Sequence, residues 1–138
     1  MAQFKYMKRS NIYKASNVSF NPSTMEAYSY DWWKFVTVIE GKTVFNNYKY
    51  SVTTARHQWN VRRLMETLGI SIDLMVRTNM SLSKFSSLEE IENAHNEQLV
   101  LEDLDNERKR IERNAKARMR AAVKRKAEGV KRLFKQDV

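Results

Sequence analysis

Over the first thirty residues, polar and aromatic side chains follow one another without a clear period, and Pro22, the only proline, lies among them. The expectation there is an extended lead-in over residues 1–30, with a short strand at Phe4–Met7. From residue 31 the pattern sharpens. The runs Trp32–Ile39 and Thr43–Tyr50 are rich in β-branched and aromatic residues, as half-buried strands are. Glu40-Gly41-Lys42 between them suits a two-residue loop with glycine first, a type II′ turn. That register sets Ile39 opposite Val44, Phe35 opposite Tyr48 and Trp33 opposite Tyr50 on a core face. The second face then carries Val38 with Phe45, Val36 with Asn47, Trp32, and Lys34 directly opposite Lys49. Asn46-Asn47 in mid-strand is a candidate bulge, which shifts the pairing beyond it.

Thr53 and Thr54 offer an N-cap for a helix running to about Leu68. Val61, Leu64, Met65 and Leu68 line its buried side, and Gly69 takes the C′ position. Ile70–Val76 alternates strictly and reads as a third strand. Residues 31–77 thus predict a small β-β-α-β unit, and residues 78–86 a linker. Ser87-Leu88-Glu89-Glu90 has the spacing of a capping box, and neither Pro nor Gly follows before Gly129. Residues 87–138 therefore predict a long C-terminal helix, unbroken to Glu128 over about 60 Å, with Gly129 fraying or kinking it before a last turn at Val130–Phe134. The fold class is α+β.

Charge changes the picture most along that helix. Residues 86–107 hold eight acids and no Lys or Arg, whereas residues 108–138 hold thirteen bases and three acids. Wound at 100° per residue, Lys109, Arg113, Lys116, Arg120, Lys124, Lys131 and Lys135 gather on about a third of the circumference. Leu101, Leu104, Ile111, Ala115, Met119, Ala122, Val130 and Leu133 form a narrow stripe nearly opposite. Solvated helices intersperse the two signs rather than segregate them, so this helix has two surfaces to offer. The pairs Asp105–Lys109, Glu112–Lys116 and Glu128–Arg132 add i,i+4 support.

The whole chain carries 25 Lys+Arg against 16 Asp+Glu, a formal charge of +9, which favours polyanionic partners. It has no cysteine, so disulfides, zinc ribbons and thiol chemistry are excluded. No signal-peptide pattern opens it and no run of 18 apolar residues occurs. A protein of the reducing cytoplasm, without a membrane partner, is the expectation.

No catalytic constellation stands out, and neither a cofactor nor a metal is expected. Gly41-Lys42-Thr43 has the end of a P-loop but lacks its first glycine and the helix that must follow. Glu92-x-x-His95 is half of a carboxylate-bridged di-metal pattern, with His57 the only other histidine. His57 itself reads as a surface or capping residue at a helix start. Residues 107–117 resemble the basic region of leucine-zipper transcription factors and the arginine-rich RNA-binding helices of phage antitermination proteins. They depart from the former at Arg118 and Ala122, where Ala and Arg are expected, and no zipper follows. The pattern Trp32-Trp33-x-Phe35-Val36, Tyr48 to Gln58 and Leu68-Gly69-Ile70 resembles one in short bacteriophage proteins. That likeness covers about 40 residues and implies a viral source, hence a host cytoplasm, but no activity.

Two partner classes remain. One is nucleic acid, held at its phosphates by Lys109, Arg113, Lys116, Arg120, Lys124, Lys131 and Lys135. Lys34 and Lys49 would hold an anion between them, with Trp32 and Phe45 stacking on bases. The other is a protein surface, acidic or a second copy of the chain, met through Leu101, Leu104, Ile111 and Ala115 as an antiparallel coiled-coil pair.

Overall fold

The computed structural model describes residues 4–136, the last two without their side chains. It is an α+β fold with a seven-stranded sheet whose spatial order follows the chain. The strands are β1 (Lys5–Met7), β2 (Ile12–Ala15), β3 (Val18–Asn21), β4 (Glu26–Ser29), β5 (Trp33–Ile39) and β6 (Lys42–Asn46). These six form an antiparallel meander. Helix α1 (Val52–Thr67) then crosses to β7 (Leu74–Val76), which lies parallel to β6. A 3-10 turn at Leu82–Lys84 leads to α2 (Leu88–Gln136).

The expected lead-in is four strands. Its turns place Asn11, Asn17, Met25, Tyr30 and Asp31 at positive φ. None of these is glycine, although each occupies the left-handed region that glycine takes most easily. Asn21 steadies one connection, its Oδ1 accepting from Ser23 N at 2.9 Å. The first thirty residues thereby bring Val18, Phe20 and Ala27 into the main core.

The hairpin forms with a different turn and register. Glu40 and Gly41 both have positive φ, the geometry of a type I′ turn, so Ile39 pairs with Lys42 and Val36 with Phe45. Across β4 and β5 the register slips between Ala27–Val36 and Tyr28–Lys34, a bulge that leaves Phe35 the extra residue. Phe35 and Val36 consequently join one cluster together with Trp33, Phe45 and the α1 residues Val61, Leu64 and Met65. Successive strand residues point to opposite faces, so Val44, beside Phe45, serves the other face. There it packs with Val76, Leu82 and Ile91. Both faces are covered, where the pairing expected from the sequence has a single core face.

Local capping departs from expectation by a few residues. Ser51, not Thr53 or Thr54, caps α1, its hydroxyl accepting from Thr54 N. Gly69, at φ +73°, ends the helix as expected, while Leu68 is exposed. The segment 78–86 is packed rather than loose. Asn46, fully buried, donates to the carbonyl oxygens of Thr78 (2.9 Å) and Met80 (3.3 Å) and accepts from Thr78 N. Ser81 Oγ accepts from Lys34 N, and Leu82 is buried. Asn46 thus ends β6 instead of bulging it, because its amide replaces the ladder partners that the strand would otherwise need.

Helix α2 is 49 residues long without a break, about 73 Å. Ser87 Oγ accepts from Glu90 N as the capping box requires, but the Glu90 carboxylate takes the amide and hydroxyl of Ser86 instead of the Ser87 amide. Gly129 does not end it: the helix runs on to Gln136. Two compact units emerge, residues 1–99 and residues 100–138. The boundary thus falls inside α2, not at a linker before it.

Candidate nucleic-acid interface

Helix α2 carries most of the candidate residues. Asp105 meets Arg108 at 2.8 Å and Lys109 at 2.9 Å, and Arg108 meets Glu112 at 2.9 Å. The hydrogen bonds from Arg108 and Lys109 hold the Asp105 carboxyl below the usual carboxylate range, and Asp105 in turn raises Arg108. This knot closes the junction between the acidic and basic stretches. It also engages Lys109, so one of the seven expected phosphate contacts already has a carboxylate partner. Lys135 lies in the helix, but its side chain falls outside the described residues. Arg113, Lys116, Arg120, Lys124 and Lys131 are exposed. Among the described residues none of these five forms an ion pair.

The apolar stripe is equally open. Leu101, Leu104, Ile111, Met119, Val130 and Leu133 are all exposed large hydrophobics, and Ala115 is exposed as well. Val123 adjoins the stripe on a helical wheel, and Arg108 and Lys126 interrupt it.

The hairpin residues are not brought together. Lys34 pairs across the sheet with Tyr28, and its ammonium lies 2.5 Å from a Glu26 carboxylate oxygen and over the Tyr28 ring. The Lys34 contact lowers the Glu26 pKa, against a smaller opposing effect of burial. Burial alone would lower Lys34, but its contacts with Glu26 and Tyr28 outweigh that and raise it. Lys49 lies beyond the end of β6, so the expected Lys34–Lys49 anion clamp does not form. Phe45 is buried and cannot stack on a ligand. Trp32 is 57% exposed and meets Tyr50 edge-on at 5.9 Å.

His57 is buried rather than at the surface. Its Nδ1 lies 2.7 Å from Ser29 Oγ, which in turn lies 3.4 Å from Thr54 Oγ1. Burial lowers its pKa, with a smaller opposing pull from the Ser16 backbone. The Ser–His contact has nucleophile–base spacing, but Ser29 is 0% exposed, so no substrate reaches its hydroxyl. The group ties β4 to α1. His95 accepts from Arg77 N through Nδ1 at 2.9 Å. No cluster able to hold a metal ion occurs among the described residues, nor a helix long and apolar enough to cross a membrane.

One surface has no counterpart among the expected site residues. Arg56, Trp59, Arg62 and Arg63 are exposed along α1, opposite its buried side. Their i, i+3, i+6 and i+7 spacing puts them within about a third of the helix circumference, one face, a signal legible once α1 itself is placed. No protein-family model matches the chain, and neither curated proteins nor solved structures give a match.

Proposed function

We propose that the protein is a non-catalytic nucleic-acid-binding accessory protein that holds a phosphate backbone along the basic face of α2. The observation that carries this reading is the run Arg113, Lys116, Arg120, Lys124 and Lys131. All five are exposed cations on one helix face, without a carboxylate partner among the described residues. Cations so placed attract phosphates and displace condensed counterions. Side chains suited to reading base edges are scarce there: Asn114 and Gln136 are the only amides beyond Arg108. Phosphate contacts position a protein and base contacts specify, so binding has little sequence preference. Titrating duplexes of unrelated sequence at several salt concentrations tests this. Five phosphate contacts give a slope of log K against log salt near −4.5, equal on every duplex. Binding indifferent to salt sinks the reading.

A second reading has its own observation, the exposed stripe of Leu101, Leu104, Ile111 and Ala115. In it, α2 serves as a protein-binding helix, pairing antiparallel with a second copy so that each acidic stretch faces the other's basic stretch. A strictly monomeric protein by light scattering, at high concentration and low salt, removes it.

A further inference from the structure

Beside α1, the sheet unit has a groove that the helix reading does not use. It is about 290 Å³, lies against residues 47–49, and is lined by Asn47, Lys49, Gln58, Trp59 and Arg62 above the buried Phe45. Trp59 is 53% exposed, a large aromatic surface left to solvent, and the Arg63 guanidinium lies over its ring at 5.8 Å. Arg63 also approaches Glu66 at 3.5 Å, which fixes that cation on the helix surface. Lys49 and Arg62 are exposed, and neither has a carboxylate partner among the described residues. Gln58 donates its amide nitrogen to the carbonyl oxygens of Asn46 (2.8 Å) and Tyr48 (2.7 Å). Those two acceptors fix which end of the amide is nitrogen, so what Gln58 can offer a ligand is its acceptor oxygen.

We propose that this groove holds one nucleotide of a single-stranded nucleic acid, with the base on the Trp59 indole and the flanking phosphates at Lys49 and Arg62. An exposed aromatic face between unpaired cations is the combination that single strands use, since every base has a π-face and every linkage a charge. The polar lining suits a base edge: the Gln58 oxygen accepts from an amino or imino group, and the Asn47 amide both donates and accepts. A duplex keeps its base faces stacked and cannot use the Trp59 surface. An acidic protein segment would use the cations but gain less from the indole face. The proposal rests on nucleic acid being the ligand, but not on the α2 face.

The test uses the full chain and a labelled oligothymidylate of about ten nucleotides, within the length one such site covers, followed by anisotropy. Trp59→Ala is expected to weaken single-strand binding roughly 5- to 150-fold, with Trp59→Phe retaining most of the affinity. Lys49→Gln with Arg62→Gln flattens the single-strand salt slope by about 1.4. Trp59, Lys49 and Arg62 are surface residues, so the variants should fold, which circular dichroism checks. The same measurements in an Arg113→Gln, Lys116→Gln, Arg120→Gln, Lys124→Gln background separate the two readings. A Trp59 effect that persists there supports the groove, even if duplex binding proves indifferent to the helix changes. Single-strand affinity unchanged by Trp59→Ala in both backgrounds overturns the groove. So does an effect matched by an acidic peptide of equal charge in place of the oligonucleotide.

Discussion

Ile91 and Ile111 are the same residue type on one helix and meet opposite surroundings. Ile91 is 1% exposed, packed with Val44, Val76 and Leu82, whereas Ile111 is 58% exposed. The early turns of α2 are held by tertiary packing. The later turns depend on local terms: good helix formers such as Ala115, Ala121, Ala122 and the many Arg and Lys residues, and i,i+3 or i,i+4 pairs around Arg108. Pairs so exposed to solvent add little to stability. A helix maintained by local terms leaves its side chains uncommitted to the fold. On the proposed reading, function and stability fall to different lengths of the same helix, so changes within residues 109–131 are expected to leave the sheet undisturbed.

The sharpest way to break that contrast is to truncate both isoleucines. Ile91→Ala removes a fully buried side chain and should cost about 2–5 kcal/mol in chemical denaturation. Ile111→Ala should move the midpoint by no more than about 0.5 kcal/mol. A comparable loss at Ile111 shows that the stripe is buried in solution, which favours the paired-helix reading.

A smaller effect belongs to His57. Its folded pKa is depressed by burial, so the unfolded chain binds the extra proton first as pH falls. Stability is complete above the unfolded value of about 6.5 and declines as pH drops from there through the depressed folded value. The decline is at most about 1.4 kcal/mol per pH unit for one group. Subtracting the pH profile of His57→Asn from that of the parent should leave this slope. A difference that is flat from pH 6.5 downward contradicts the burial of a neutral imidazole.

Legibility followed the physics of each element. The long helix was readable because charge, period and the absence of Pro or Gly agree over many turns, and Ser87 and Gly69 sit at their expected caps. Beyond Gly129 the sequence suggests only a last turn after a fray or kink, since a glycine costs about 1 kcal/mol in a helix; neighbours with high propensity offset that cost. Of the first four strands only β1 was legible, as the short strand at Phe4–Met7; the next three are four residues each, too short to show a period, and the left-handed turn positions carry Asn, Met, Tyr and Asp instead of glycine. The hairpin register differs from the expected one because Glu40 takes positive φ, and Lys34 therefore does not face Lys49. Of the site residues, the cations of α2 were legible as a face. The Ser29–His57 contact was not, because it joins β4 to α1, and the Trp59 groove was not, because it depends on how α1 turns back beside residues 47–49.

A small expected change in stability at each site accompanies the most direct test of the proposed function. Arg113, Lys116, Arg120 and Lys124 are all exposed, so replacing the four with Gln should leave the unfolding midpoint within about 0.5 kcal/mol per site. On duplexes the same variant should lose affinity to a similar degree on every sequence, and its salt slope should flatten from near −4.5 toward about −1. Undiminished duplex affinity in a folded quadruple variant, with its salt slope intact, would contradict the assignment of phosphate binding to α2.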